Sequence, residues 1–162
     1  MRALVTGGSG FIGSNIVDRL IGEGYSVRVL DNLSSGFLIN IQKYLISGNA
    51  EFVGGDVRDC LSLEKAMDGV DVVFHLAASV GRQRSLDSPQ IDSEINLVGT
   101  VNVLEAMRKA GVHRIVYSSS AAMFGELVTP TIDENHPQNA DSPYGVSKLA
   151  AEKMILAYSY VY

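Results

Sequence analysis

A tyrosine and a lysine stand four residues apart in Tyr144-Gly145-Val146-Ser147-Lys148. That spacing puts both side chains on one face of a helix. A phenol is a poor base near neutral pH, because its ordinary pKa is about 10. An ammonium held beside it favours the phenolate and brings the tyrosine into the range of a general base. Three consecutive hydroxyls, Ser118-Ser119-Ser120, precede this segment. One of them could hydrogen-bond the substrate oxygen that Tyr144 deprotonates, although a serine cluster also serves as a polar loop or helix cap. Solvated Tyr–Lys pairs are common on helices, so the pair carries weight only in combination.

The second chemical feature is Thr6-Gly7-Gly8-Ser9-Gly10-Phe11-Ile12-Gly13. Gly8, Gly10 and Gly13 fit a G-x-G-x-x-G spacing, while Gly7, Gly10 and Gly13 fit the wider G-x-x-G-x-x-G. Glycines here permit a tight turn and a close backbone approach to a pyrophosphate, which the N-terminus of the following helix attracts. A glycine triplet alone is common; one placed directly after a strand and before a helix is specific. Asp31 ends the next strand, at about the separation expected of the acid that receives a ribose 2′-hydroxyl. Its charge repels a 2′-phosphate, so the expected cofactor is NAD rather than NADP.

These residues require a particular scaffold. A short apolar run precedes Gly7, and helical spacing follows through Ile12, Ile16, Val17, Leu20 and Ile21. Further strands are expected at 26–30, 50–53, 70–75 and 114–117, with a short helix at 61–67. The run at 70–75 is continuously apolar, as in a strand covered on both faces. A long amphipathic helix is expected over 94–110, stopped by Gly111. Ser142-Pro143 opens a last helix, expected to run over 144–162. Alternating strands and helices predict an α/β fold, a Rossmann-type doubly wound parallel sheet with helices on both faces. The segments 32–49 and 121–141 break the alternation, and both follow the strand ends where such folds place ligands.

Bulk properties narrow the function. The 162 residues, 46% hydrophobic and 19% charged, match one globular domain. The net charge of −5 disfavours a nucleic-acid partner; the densest basic spots, Arg82 with Arg84 and Arg108 with Lys109, are short. No apolar run approaches membrane-spanning length and no signal peptide is expected, so the location read from the sequence is cytoplasmic. Cys60, a lone cysteine, suits a reducing compartment. His113 and His136 lack metal-ligand spacing, so no metal is expected. His75 ends a buried strand and is expected to be a packed, hydrogen-bonded residue.

Taken together, the motifs resemble the extended short-chain dehydrogenase/reductase family, and within it the nucleotide-sugar epimerases of the UDP-glucose 4-epimerase type. The similar segments run in order. They are Thr6 to Gly13, Asp31-Asn32-Leu33-Ser34-Ser35-Gly36, Gly55-Asp56-Val57-Arg58-Asp59 and His75-Leu76-Ala77-Ala78. They continue with Asn96-Leu97-Val98-Gly99-Thr100, Ser118 to Gly125, and Tyr144 to Lys148.

The resemblance implies that Gly7, Gly10, Phe11, Ile12 and Gly13 cradle the NAD pyrophosphate. Asp31, Asn32 and Ser35 would surround the adenosine ribose, and Asp56 and Val57 would meet the adenine. Leu76, Ala77 and Ala78 would line the path to the nicotinamide ribose, with Asn96 supporting the site. Lys148 would bind that ribose and tune Tyr144, the general base, while Ser120 would orient the sugar hydroxyl. The implied reaction is transient oxidation of a nucleotide-sugar, expected to be a UDP-hexose such as UDP-galactose, followed by hydride return to the other face.

Ala121-Ala122 stand where related 4,6-dehydratases carry an Asp-Glu pair, and Phe124 stands where the epimerase loop usually has tyrosine. The family chain continues beyond the Tyr-x-x-x-Lys helix into a substrate-binding domain. Residues 1–162 are therefore expected to be an incomplete NAD-binding Rossmann domain, inactive alone. The alternatives are an inert NAD-binding module, or another member of the family, a reductase or a dehydratase. A homodimer through the helices at 94–110 and 144–162 is also implied.

Overall fold

The computed structural model describes residues 1–162. The chain divides into two compact units, Met1–Ala77 with Asn102–Ser118, and Ala78–Val101 with Ser119–Tyr162.

The first unit holds one parallel sheet. Its strands are β1 (Arg2–Thr6), β2 (Ser26–Asp31), β3 (Ala50–Gly54), β4 (Val72–His75) and β5 (Ile115–Tyr117). They lie in the order β3-β2-β1-β4-β5. All four pairings are parallel, with Val5 level with Val29 on one side and with Phe74 on the other. Chain order reverses between β1 and β4, and beyond the carboxyl ends of strands at such a point ligands bind in open α/β sheets. The central strands are apolar because both faces are covered. Ala3, Leu4, Val5, Val29 and Val73 have no exposed surface.

Helix α1 (Phe11–Gly22) buries Val17 and Leu20, and α2 (Gln42–Ile46) lies within the segment that breaks the alternation. Helix α3 (Cys60–Met67) begins where Asp59 caps it, its side chain accepting from the Leu61 amide at 3.0 Å. At the other end the buried Arg28 of β2 donates to the carbonyls of Ala66 and Asp68, at 2.9 and 2.7 Å. A cation at a helix C-terminus satisfies carbonyls that have no partner in the helix.

Strand ends differ slightly from expectation. Val70 donates to Met67 O and belongs to a turn, so β4 starts at Val72. The larger difference lies at 82–110, where one helix was expected over 94–110. Helix α4 (Arg82–Asp87) ends before Pro89, which lacks an amide hydrogen and starts α5 (Pro89–Ser93) at its first turn. A π-helical turn, Glu94–Val98, then leads into α6 (Gly99–Ala110).

In the second unit α4, α5, the π turn and a 3₁₀ turn (Ala121–Met123) all pack against α7 (Pro143–Val161). Residues 124–141 form a loop around a buried His136. Its Nε2 accepts from the Val128 amide at 3.2 Å, its Nδ1 lies 3.0 Å from Pro137 O, and Phe124 meets the ring edge-on.

Candidate functional site

In the first unit the glycine loop joins β1 to α1. Gly7 has φ +71°, and a side chain there would run into the backbone of Leu76 and Ala77. A Cβ on Gly13 would land on the carbonyl oxygen of Gly7, so Gly7 and Gly13 close one tight turn together. Gly8 serves another purpose, admitting the Val29 side chain. The wider of the two glycine spacings is thus the one that shapes the turn. Gly10 has only the Gly7 carbonyl near its missing Cβ, at 3.3 Å, and it is the N-cap of α1. No side chain caps this helix, no acidic residue lies in its first turn, and Phe11 and Ile12 are exposed. Uncapped first-turn amides at the positive end of a helix suit a pyrophosphate. The cradle therefore fits a dinucleotide.

Asp31 is buried, and two backbone amides fix its carboxylate: Ser9 to Oδ2 at 2.9 Å and Leu33 to Oδ1 at 2.8 Å. Leu33 takes a φ of +57°, strained for a leucine, to reach it. Ser9 O in turn accepts from the Phe37 amide and the Asn40 side chain, at 3.1 and 2.8 Å. The segment after β2 is thereby stitched to the glycine loop, with Asn32 and Ser35 exposed on it.

Asp56 already carries four hydrogen bonds. Arg58 supplies its amide, Nε and Nη2 at 2.8–2.9 Å, and Asn32 supplies Nδ2 at 2.8 Å. The Arg58 guanidinium holds this carboxyl well below the usual carboxylate range. Val57 is buried, and its carbonyl accepts from Asn102. Leu76 and Ala77 are half-buried, and their amides both point at Thr6 Oγ1, 3.2 Å from each. His75 is fully buried, as expected, against Thr6 and Tyr117.

The second unit holds Ala78, Asn96, Ser120, Tyr144 and Lys148. Ser142 caps α7 by accepting from the Gly145 amide at 3.2 Å, with Pro143 next. Tyr144 falls in the first turn of α7. A Cβ on Gly145 would strike the carbonyl oxygen of Ala122, so the 3₁₀ turn lies directly against the first turn of α7. Ser120 caps that 3₁₀ turn, accepting from Ala122 N at 3.2 Å. Ser119 is structural: its hydroxyl donates to Glu152 of α7 at 2.7 Å.

Lys148 is 3% exposed, and burial pushes its ammonium down to about 8, against an opposing attraction from Asp92. Asn96 is also buried, but its amide is engaged entirely with protein. It accepts from Ser79 N at 2.8 Å and offers Nδ2 to Ser79 O, Asp92 Oδ1 and Ser147 Oγ at 3.0–3.1 Å. It braces α7 from the π turn. Sequence reasoning passed over Asp92, Ser147, Thr6 and Gly145. Asp92 could have been found from its place four residues before Asn96.

A parallel sheet with a glycine cradle between β1 and α1 defines a Rossmann-type, dinucleotide-binding class of protein. The chain belongs to the NAD dependent epimerase/dehydratase family, whose model matches residues 3–162. It is 47% identical to a putative UDP-glucose 4-epimerase of Methanocaldococcus jannaschii over 98% of this chain and 51% of that one. The Thermus thermophilus UDP-glucose 4-epimerase, solved in complex with NAD, superposes with a TM-score of 0.92. It is 39% identical over all of this chain and 52% of its own. DesIV, the dTDP-glucose 4,6-dehydratase of Streptomyces venezuelae, gives 0.94 at 35% identity, over 100% and 52%. The chain thus spans about half the length of the relatives it matches. No helix is long and apolar enough to cross a membrane.

Proposed function

We propose that these residues are the NAD-binding and catalytic part of a nucleotide-sugar epimerase acting on a UDP-hexose, of the UDP-glucose/UDP-galactose 4-epimerase kind. The observation that carries this reading is the first two turns of α7. There Tyr144 falls in the first turn, a buried Lys148 follows one turn on, and the turn capped by Ser120 packs against Gly145.

NAD, when bound, would supply the hydride acceptor for the sugar and the hydride donor for its ketone. The Gly7–Gly10–Gly13 turn, with Phe11 and Ile12, holds its pyrophosphate. Asp31, Asn32 and Ser35 hold the adenosine ribose, and Asp56 and Val57 meet the adenine. Leu76, Ala77 and Ala78 line the nicotinamide side. Ser120 donates to the sugar oxygen and orients it. Tyr144, as phenolate, takes the hydroxyl proton as the carbon is oxidised and returns it when the ketone is reduced on its other face. Lys148 stabilises the phenolate and binds the nicotinamide ribose.

Ala121 and Ala122 favour epimerisation over dehydration. Related dehydratases use a carboxylate pair at this point to eliminate water, and two methyl groups cannot move a proton. A cytoplasmic homodimer, joined through 94–110 and α7, belongs to the same reading; Leu156 and Tyr160 leave apolar surface on α7 for it.

The test is NAD-dependent interconversion of UDP-galactose and UDP-glucose by the full-length protein carrying these residues. Conversion that Tyr144→Phe abolishes supports the reading. NADH binding by the full-length protein without conversion of either sugar reduces it to a cofactor module. The 162 residues alone are expected to bind NADH without turnover, because cofactor binding without substrate positioning does not lower the barrier.

A further inference from the structure

Two groups of opposite charge type are buried where α5 packs on α7. Asp92, on α5, is 1% exposed and Lys148, on α7, is 3% exposed. The Asp92 carboxylate is held on both oxygens. Ser147 donates to Oδ2 at 2.6 Å and Asn96 to Oδ1 at 3.1 Å. Ser147 is the chain neighbour of Lys148, and Asn96 is fixed to the backbone of Ser79 in both directions. The π turn over Glu94–Val98, which follows α5 and packs on α7, carries Asn96. Such turns interrupt the regular ladder and often mark functional positions.

We propose that Asp92 is the counter-charge of Lys148, held by Ser147 and Asn96 so that the lysine stays an ammonium one helical turn from Tyr144. Asp92 is then a positioning residue, acting on the base through the lysine, and this assignment rests on the reading of Tyr144 and Lys148 given above.

The physical need is plain. A lysine this buried, with nothing to oppose desolvation, sheds its proton and no longer stabilises a phenolate. The carboxylate opposes that loss and is itself tolerable in the interior only when paired and hydrogen-bonded. Other charged groups on the elements around α7 are otherwise engaged or outside. On α4, Arg82 pairs with Asp141 at 2.7 Å, and Arg84 and Asp87 are exposed. In the π turn Glu94 accepts from Gln90, and the 3₁₀ turn holds no ionisable group. On α7 itself Glu152 receives Ser119, and Lys153 is exposed.

The test reads Lys148 directly and needs no turnover. Lysine labelled with ¹³C at Cε gives five resonances, for Lys43, Lys65, Lys109, Lys148 and Lys153; Lys148→Met identifies the fourth. Its midpoint is expected near 8, and to fall by about one unit or more in Asp92→Asn, with the other four unmoved. An unchanged midpoint in a folded Asp92→Asn chain overturns the proposal.

Should Asp92→Asn not fold, urea unfolding of Lys148→Met and of the double variant decides. Removing the lysine strands a buried carboxylate, so the second substitution is expected to restore part of the lost stability. Destabilisation that merely adds, or a double variant that also fails to fold, overturns it. Because the readout is the titration, a shifted lysine in a full-length protein that turns over no nucleotide-sugar would refute the epimerase reading and leave the charge pair standing. Turnover with no shift does the reverse.

Discussion

The hydroxyl of Thr6 and Nδ1 of His75 share a hydrogen bond of 2.6 Å, with both residues completely buried on the first and fourth strands. Thr6 Oγ1 also receives the amides of Leu76 and Ala77, 3.2 Å from each. One hydroxyl at the end of β1 anchors the segment that leaves β4.

Thr6→Val keeps the shape and removes that anchor. It leaves Nδ1 and the Ala77 amide without their partner, which costs about 1–3 kcal/mol. Urea unfolding should show this loss, with weaker NADH binding beside it. Thr6→Ser is expected to restore most of both.

Asp31→Asn removes the charge while keeping one acceptor for the amides of Ser9 and Leu33. NADH binding is expected to weaken by roughly tenfold or more, since the charge-assisted hydrogen bond proposed for the ribose would be lost. NADPH binding should strengthen, because the repulsion of its 2′-phosphate is gone. Fluorescence titration of the 162-residue chain with each cofactor checks both directions.

The neighbouring serines separate structure from chemistry. Ser119→Ala leaves Glu152 without the donor 2.7 Å away and is expected to lower stability by about 1 kcal/mol. Ser120→Ala removes a cap at a similar cost of about 1 kcal/mol, but in addition should reduce kcat of the full-length enzyme by about 10²-fold or more. Equal effects of the two on kcat would contradict the assignment of Ser120.

Lys148 ties stability to pH. Below about 8 the lysine is protonated in both folded and unfolded chains. Between about 8 and the ordinary value of 10.5 the unfolded chain keeps a proton that the folded chain has lost. Stability from this group therefore rises with pH across that window, by up to about 3 kcal/mol. Unfolding free energies at about pH 7.5 and about pH 10, compared between the unaltered chain and Lys148→Met, isolate it; the variant should lack the rise.

Gly145→Ala tests the close approach of the 3₁₀ turn to α7. Alanine favours a helix in general, yet here its methyl would meet the Ala122 carbonyl. A loss of about 1–3 kcal/mol is expected, where Val146→Ala at the exposed neighbouring position should be nearly neutral. Thermal unfolding of the two variants compares them.

The parallel α/β plan was legible because its signals are local. Apolar runs bounded by glycine, a helical period after Gly10 and the Ser142-Pro143 start each state an element within a few residues. The glycine cradle, Asp31 and the Tyr144–Lys148 pair were legible for the same reason, as spacing in a strand–turn–helix or along one helix defines them. Even the two competing glycine spacings lay open to view, but the choice between them did not. It depends on Gly7 and Gly13 meeting across the turn while Gly8 faces Val29 on the next strand.

What tertiary structure alone decided is which polar groups find each other over long chain distances. Asp92 and Ser147 are separated by 55 positions, Thr6 and His75 by 69. No periodicity records such pairs, because hydrogen bonds and buried charges are matched by the packing of elements rather than by the order of residues. The split of 82–110 into α4, α5, a π turn and α6 belongs to the same class. A helical pattern identifies a helix, whereas the irregular turn within it is fixed by Asn96 reaching Ser79 and Ser147, partners that only the folded chain supplies.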